Sequence, residues 1–147
     1  MCINMLFVSK PEDFHSNMRV SGCFCEVDGK ILLLFRHREK NEGEMWCCPG
    51  GKAEEHETTS EAMVRELFEE TGIQTLESDI RFFKTVFVRY PETDMEYSIF
   101  SLSLPETPLI SLKEDEHTQF QWVSPQEALS LPLIPDEDTC IKMFYNL

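Results

Sequence analysis

One segment constrains this chain more than any other. Between Gly51 and Ile73 it reads GKAEEHETTSEAMVRELFEETGI, and Glu66, Glu69 and Glu70 fall three and four residues apart. On a helix that spacing puts the three carboxylates on one face. Like charges held so close repel, so the arrangement costs stability unless something positive sits among them. A hard divalent cation meets that need, and carboxylate oxygens suit Mg²⁺ or Mn²⁺. Most acidic runs are simply solvated helix faces, and Glu-x-x-Glu-Glu alone does not separate the two readings.

The segment also carries helix punctuation. Thr58 with Glu61 three residues on makes a capping box, and Gly72 stands where a helix C-terminus takes a left-handed residue. The spacing predicts Val64, Leu67, Phe68 and Thr71 on the buried side, with the three glutamates roughly opposite. Arg65 lies beside the acidic wall, within reach of Glu61 and Glu69.

The flanks read mainly as strands. Met18 to Val27 alternates, Asp28-Gly29 signals a hairpin turn, and Lys30 to Phe35 is a second strand ending in Arg36-His37-Arg38. Met45 to Cys48 is a short strand, stopped by Pro49-Gly50-Gly51. Ile80 to Tyr90, Met95 to Leu104 and Phe120 to Val123 read as further strands. Ser124 caps a short helix through Leu129, and Pro135 opens a last helix to Tyr145. Met1 to Asn17 is a lead-in broken at Pro11. No repeat or linker interrupts residues 1–147, so the chain reads as a single domain of α/β class: a mixed sheet with helices on both faces.

The formal net charge of −14 excludes passive electrostatic binding to nucleic acid or an anionic membrane. It admits a phosphate-bearing substrate that arrives with a metal ion. Cys2, Cys23, Cys25, Cys47, Cys48 and Cys140 form no zinc spacing with the histidines and read as reduced thiols, mostly core fillers. The N-terminus has neither signal-peptide nor membrane-span character, and the expected location is cytoplasmic.

Taken whole, the segment says more. Gly51 is followed by five residues and Glu57, and seven more lead to Arg65-Glu66-Leu67-Phe68-Glu69-Glu70-Thr71-Gly72-Ile73. This resembles the Nudix box of the Nudix hydrolase family, of MutT type, at every fixed position. Average residue frequencies put a chance match on the order of one in a billion per starting position. Trp46-Cys47-Cys48-Pro49-Gly50-Gly51 resembles the W-x-x-P-G-G approach to that box. The resemblance implies an α/β/α sandwich and Mg²⁺-dependent cleavage (Mn²⁺ as the substitute) of a nucleoside diphosphate linked to another group. A nucleoside triphosphate, ordinary or oxidised, leads as substrate, giving a monophosphate and pyrophosphate. The alternatives are a dinucleoside polyphosphate or nucleotide sugar and, from another class, a non-catalytic nucleotide sensor on the same fold. The implied partner is a small nucleotide, with no nucleic acid or membrane, and the chain is a monomer or homodimer.

Residue by residue, the resemblance makes Glu69 and Glu70 the main metal ligands and Glu66 a ligand or the general base. Family members differ over which glutamate is the base. Gly50 would offer its carbonyl to the metal, and Glu57 with Arg65 would form an ion pair that orients the glutamates. Glu116, six residues before Trp122, is the choice for a further ligand over Glu114 and Asp115. Arg36 and Lys52 are candidates for substrate phosphate. Asp136 and Glu137 are candidates for reading a base, although acids are also favoured at a helix N-terminus. Tyr90 falls where some dinucleoside-polyphosphate hydrolases carry a tyrosine. One departure is His56, where many members have Gly.

Overall fold

A strand whose inner residues are all apolar has to be covered on both faces. Lys30–Arg36 (β3) is such a strand, with Ile31, Leu32, Leu33 and Leu34 fully buried. The computed structural model, which describes residues 5–147, places it beside the centre of a mixed sheet. Cys2 lies outside the described residues.

β2 (Ser16–Val27) enters β3 through Asp28 and Gly29, both at positive φ. This is the mirror-image turn that suits strand twist. The two strands pair only at Glu26–Ile31 and Val27–Lys30. Beyond that point they part. β2 continues against β5 (Gly50–Lys52), while β3 pairs β4 (Trp46–Cys47) and β8 (His117–Val123). On its other edge β2 runs parallel to β7 (Asp94–Ser103). Then follow β6 (Arg81–Arg89) and β1 (Met5–Phe7), both antiparallel to their neighbours.

Helices cover both faces. α1 (Thr59–Thr71) packs Met63 and Leu67 against Cys23, Cys25, Leu32, Leu34 and Phe100. On the other face α2 (Pro125–Ala128) and α3 (Glu137–Tyr145) set Ala128, Cys140 and Ile141 against Phe24, Ile31, Leu33 and Val86. Cys23, Phe24 and Cys25 thus serve opposite cores by simple alternation. The five described cysteines are free and buried. Among the described residues no helix is long and apolar enough to cross a membrane.

The caps of α1 form as expected: Thr58 and Glu61 make the reciprocal box, and Gly72 is left-handed at φ +78°. Its buried face matches the expectation at Leu67 and Thr71, both fully buried, and differs elsewhere. Phe68 is 53% exposed, Val64 is half-buried, and Met63, Ala62 and Glu70 face inward instead. The helix is turned so that Glu70 meets the backbone of Gly50, which carries Phe68 outward. The Gly50-Gly51 stop is itself strand β5, and the lead-in supplies β1. β8 begins at His117, ahead of the expected Phe120. Pro135 lies outside α3, because Asp136 is left-handed at φ +71° and only then does the helix start.

Candidate active site

The β2–β5 register decides where Gly50 points. Cys23 N–H bonds the Pro49 carbonyl and Ala53 N–H bonds the Arg19 carbonyl, so Gly22 and Gly50 oppose each other as a non-hydrogen-bonded pair. The polar groups of Gly50 therefore face away from β2, toward α1. Its N–H donates to Glu70 Oε1 at 2.8 Å, and its carbonyl lies along the same edge. A side chain on Gly50 would strike the Ser21 carbonyl, and one on Gly51 would fill the space of the Glu66 carboxylate. The two glycines let the acids of α1 close onto backbone.

The floor of the cleft opens where β2 and β3 part. Glu70 is 5% exposed. Burial raises its carboxyl to about 8, helped by the charges of Glu66 and Glu116 and opposed by the Gly50 N–H. Glu116 arrives from the turn before β8, with Lys113 Nζ at 3.7 Å and Lys40 Nζ at 3.9 Å. His117, next in sequence, is 2% exposed. Its Nδ1 lies 3.6 Å from Glu70 Oε2 and its Nε2 lies 3.7 Å from Cys47 Sγ. Burial, then the charge of Arg36, pushes the imidazole down to about 4. Donor atoms of Glu70, Glu116 and His117 lie within 4.8 Å of one another. Arg36, Lys40, Lys52 and Glu66 complete the lining of a cleft of about 230 Å³.

The rim is organised differently. Arg65 forks onto Glu57 through Nε at 2.7 Å and Nη2 at 2.8 Å. The same guanidinium reaches Glu66 at 3.0 Å, Glu69 at 3.2 Å and the Lys52 carbonyl at 3.1 Å. Hydrogen bonds from Arg65 hold Glu57 down to about 2. Burial raises Glu66 despite Arg65. The three glutamates of the helix therefore have three settings: Glu70 buried on the floor, Glu66 on the wall, and Glu69 outside on the rim with its side chain 45% exposed.

Of the acids ahead of β8, Glu114 and Asp115 are exposed and Glu116 is the one brought in. Arg36 lines the cleft with its Nε anchored on the Asn41 carbonyl at 2.9 Å. Lys52 faces both this cleft and a larger groove of about 750 Å³ toward Arg19 and Glu96. Asp136 and Tyr90 line a separate narrow slot with Val88, Met95 and Tyr97. Asp136 Oδ2 is buried there without a hydrogen-bond partner among the described residues, and burial raises the carboxyl. Glu137 sits deeper, accepting from the Cys48 N–H at 2.6 Å. The charge of Arg36 acts on Glu70 and His117 on one side and on Glu42 and Tyr90 on the other, so Arg36 stands between cleft and slot. His56 is exposed beside Glu54 and is not at positive φ; its difference from Gly strains nothing.

Two contributors had no signal of their own in the sequence. Arg19 pins the loop before α1 through the carbonyls of Glu54 and Glu57, both at 2.9 Å. His117 gains its meaning only from Cys47 and Glu70, which are remote in sequence.

Comparison with known proteins agrees with this geometry. The family model of the NUDIX domain matches residues 15–144. The CTP pyrophosphohydrolase of Escherichia coli K12 is 32% identical over 132 residues, covering 88% of this chain and 93% of that protein. The 8-oxo-dGTP diphosphatase of Proteus vulgaris is 31% identical over 80 residues, covering 54% of this chain and 70% of that protein. The crystal structure of a MutT protein from Methanosarcina mazei Go1 superposes with a TM-score of 0.75 at 23% identity, covering 88% of this chain and 92% of that one; at that identity it speaks for the fold. With the box, the sandwich and a family match from end to end of the domain, the chain belongs to the Nudix hydrolases.

Proposed function

We propose that this protein is a Mg²⁺-dependent pyrophosphohydrolase that converts a nucleoside triphosphate to its monophosphate and pyrophosphate. One observation carries the reading. Glu66, Glu70 and Glu116 converge from α1 and the β8 turn onto the Gly50-Gly51 backbone, beside Arg36 and Lys52. The donors there are hard oxygens crowded together, whose mutual repulsion a divalent cation would relieve, which fits Mg²⁺ or Mn²⁺. Glu70, Glu116 and the Gly50 carbonyl would hold the ion, with Glu69 joining them once it leaves Arg65. The ion would supply charge neutralisation at the diphosphate and activate the attacking water.

The protein's own groups do the rest. Arg36 and Lys52 bind the phosphate oxygens and fix the chain of phosphates along the cleft. Glu66, with a raised proton affinity and a fixed position against Gly51, accepts the proton of the water. Arg65 and Glu57 hold Glu66 in that position. The slot beyond Arg36 takes the base, with Tyr90 along its side and Asp136 at its polar end. The similarity to a CTP pyrophosphohydrolase and to an 8-oxo-dGTP diphosphatase supports the triphosphate class.

The test is a panel of nucleoside triphosphates, dinucleoside polyphosphates and nucleotide sugars with Mg²⁺ or Mn²⁺, with the products identified. Release of monophosphate and pyrophosphate from a triphosphate is the expected result. Binding without turnover of any of them would leave a nucleotide sensor and end the hydrolase reading.

A further inference from the structure

The imidazole of His117 has one nitrogen engaged by Cys47 and one buried without a hydrogen-bond partner among the described residues. Cys47 Sγ lies 3.7 Å from the Leu34 carbonyl and 3.7 Å from His117 Nε2. A thiol has one hydrogen, and a carbonyl only accepts. With the S–H assigned to the Leu34 carbonyl, Nε2 is the donor toward sulfur. In that tautomer Nδ1 keeps a free lone pair. It is buried, has no hydrogen-bond partner among the described residues, and faces Glu70 Oε2 at 3.6 Å. Two acceptors facing each other out of water are unfavourable, and either a proton kept on the Glu70 carboxyl or a metal ion displacing that proton relieves them.

We infer that His117 Nδ1 is a nitrogen ligand of the ion held by Glu70 and Glu116. This rests on the metal-dependent reading above and adds to it a mixed nitrogen–oxygen donor set. Two donors about 2.1 Å from one ion lie roughly 3 to 4.2 Å apart, and the 3.6 Å between Nδ1 and Glu70 Oε2 falls inside that span. The Cys47 thiol, 3.7 Å from Nε2, would orient the ring in the tautomer that leaves Nδ1 free for the ion. The consequence is selectivity. An imidazole adds little for Mg²⁺, which prefers oxygen and retains water, but strengthens binding of Mn²⁺ and later divalent metals.

The experiment is pulsed electron paramagnetic resonance of Mn²⁺ bound to the full chain, with Mn²⁺ and Mg²⁺ affinities measured by calorimetry. Directly coordinated ¹⁴N modulation in the native protein is the expected result. It should disappear in His117→Phe, with Mn²⁺ affinity falling at least about tenfold and Mg²⁺ affinity changing less than about twofold. His117→Asn, which keeps a polar atom near the Nδ1 position, should retain more Mn²⁺ affinity than His117→Phe. Tight Mn²⁺ binding without ¹⁴N coupling in the native protein would overturn the nitrogen ligand and leave the carboxylate site standing. Absence of any Mn²⁺ binding would overturn both.

Discussion

The floor and the rim of the cleft hold acids of the same helix, yet they are neutralised in opposite ways. On the rim, one guanidinium from Arg65 serves Glu57, Glu66 and Glu69 at 2.7 to 3.2 Å. On the floor, Glu70 is bonded to a backbone N–H and faces a neutral imidazole, and Glu116 meets its lysines only at 3.7 to 3.9 Å. The protein clamps one cluster with a guanidinium and, among the described residues, gives Glu70 in the other no Lys or Arg in contact. That difference marks the rim as scaffold and the floor as the candidate binding site more clearly than acidity does.

Replacing the floor acid should break the contrast most severely. Glu70→Gln is expected to lower kcat/KM by about a thousandfold or more, because a metal oxygen is lost. The metal-free variant should unfold at or above the native Tm near pH 8, since a neutral amide replaces a carboxylate that burial disfavours. Near-native turnover would remove Glu70 from the metal site. Glu69→Gln asks whether the rim acid crosses over to the ion. A loss of about a hundredfold with weakened Mg²⁺ binding would show that it does. A change within twofold would leave it as a partner of Arg65 alone.

Arg65→Ala attacks the rim itself. Turnover should fall roughly 10–100-fold, as is usual for groups that orient ligands. Tm should fall too, because Glu57 and the half-buried Glu66 lose their cation. Equal Tm values by calorimetry would mean the network orients nothing.

The two regions should also titrate in opposite directions. Glu70 lies at about 8 when folded, above its ordinary 4.5. Its contribution to the metal-free fold is full below pH 4.5 and is lost as pH rises to about 8. Glu57 lies at about 2. Its contribution is present above pH 4.5 and is lost as pH falls toward 2. Metal-free Tm should therefore decline between about pH 5 and 8, and the increase in Tm on adding Mg²⁺ should grow over that range. A Mg²⁺ increment independent of pH would contradict the assignment of the floor. The smallest effect is expected in the slot. Asp136→Asn should shift the ratio of kcat/KM between two bases by about tenfold with little change in Tm, as read from paired nucleotide assays.

What the sequence disclosed followed distance along the chain. The caps of α1 are local, and Thr58, Glu61 and Gly72 took the places their chemistry requires. The sandwich was legible because alternation at Cys23–Phe24–Cys25 and the run Ile31 to Leu34 demand two cores. The orientation of α1 was not legible. Its apolar residues fit two faces, and the choice between Met63 and Phe68 was made by a hydrogen bond from Gly50, which lies in another element. Glu66, Glu69 and Glu70 could be named from spacing, but their separate settings depend on Arg65 and on the register of β5. His117 was invisible for the same reason: Cys47 and Glu70 give it a role, and neither is near it in sequence.

The parallel pairing of β2 with β7 bears on how the molecule is made. Cys23 lies beside Phe100, so the middle of the sheet cannot close until most of the polypeptide has left the ribosome. Such remote pairings slow folding. Until they form, the hairpin of β2 and β3 keeps its four consecutive apolar residues uncovered. The nascent chain should therefore depend on chaperones until β7 emerges, and circular permutants that bring β2 and β7 close in sequence should fold faster without altering the cleft.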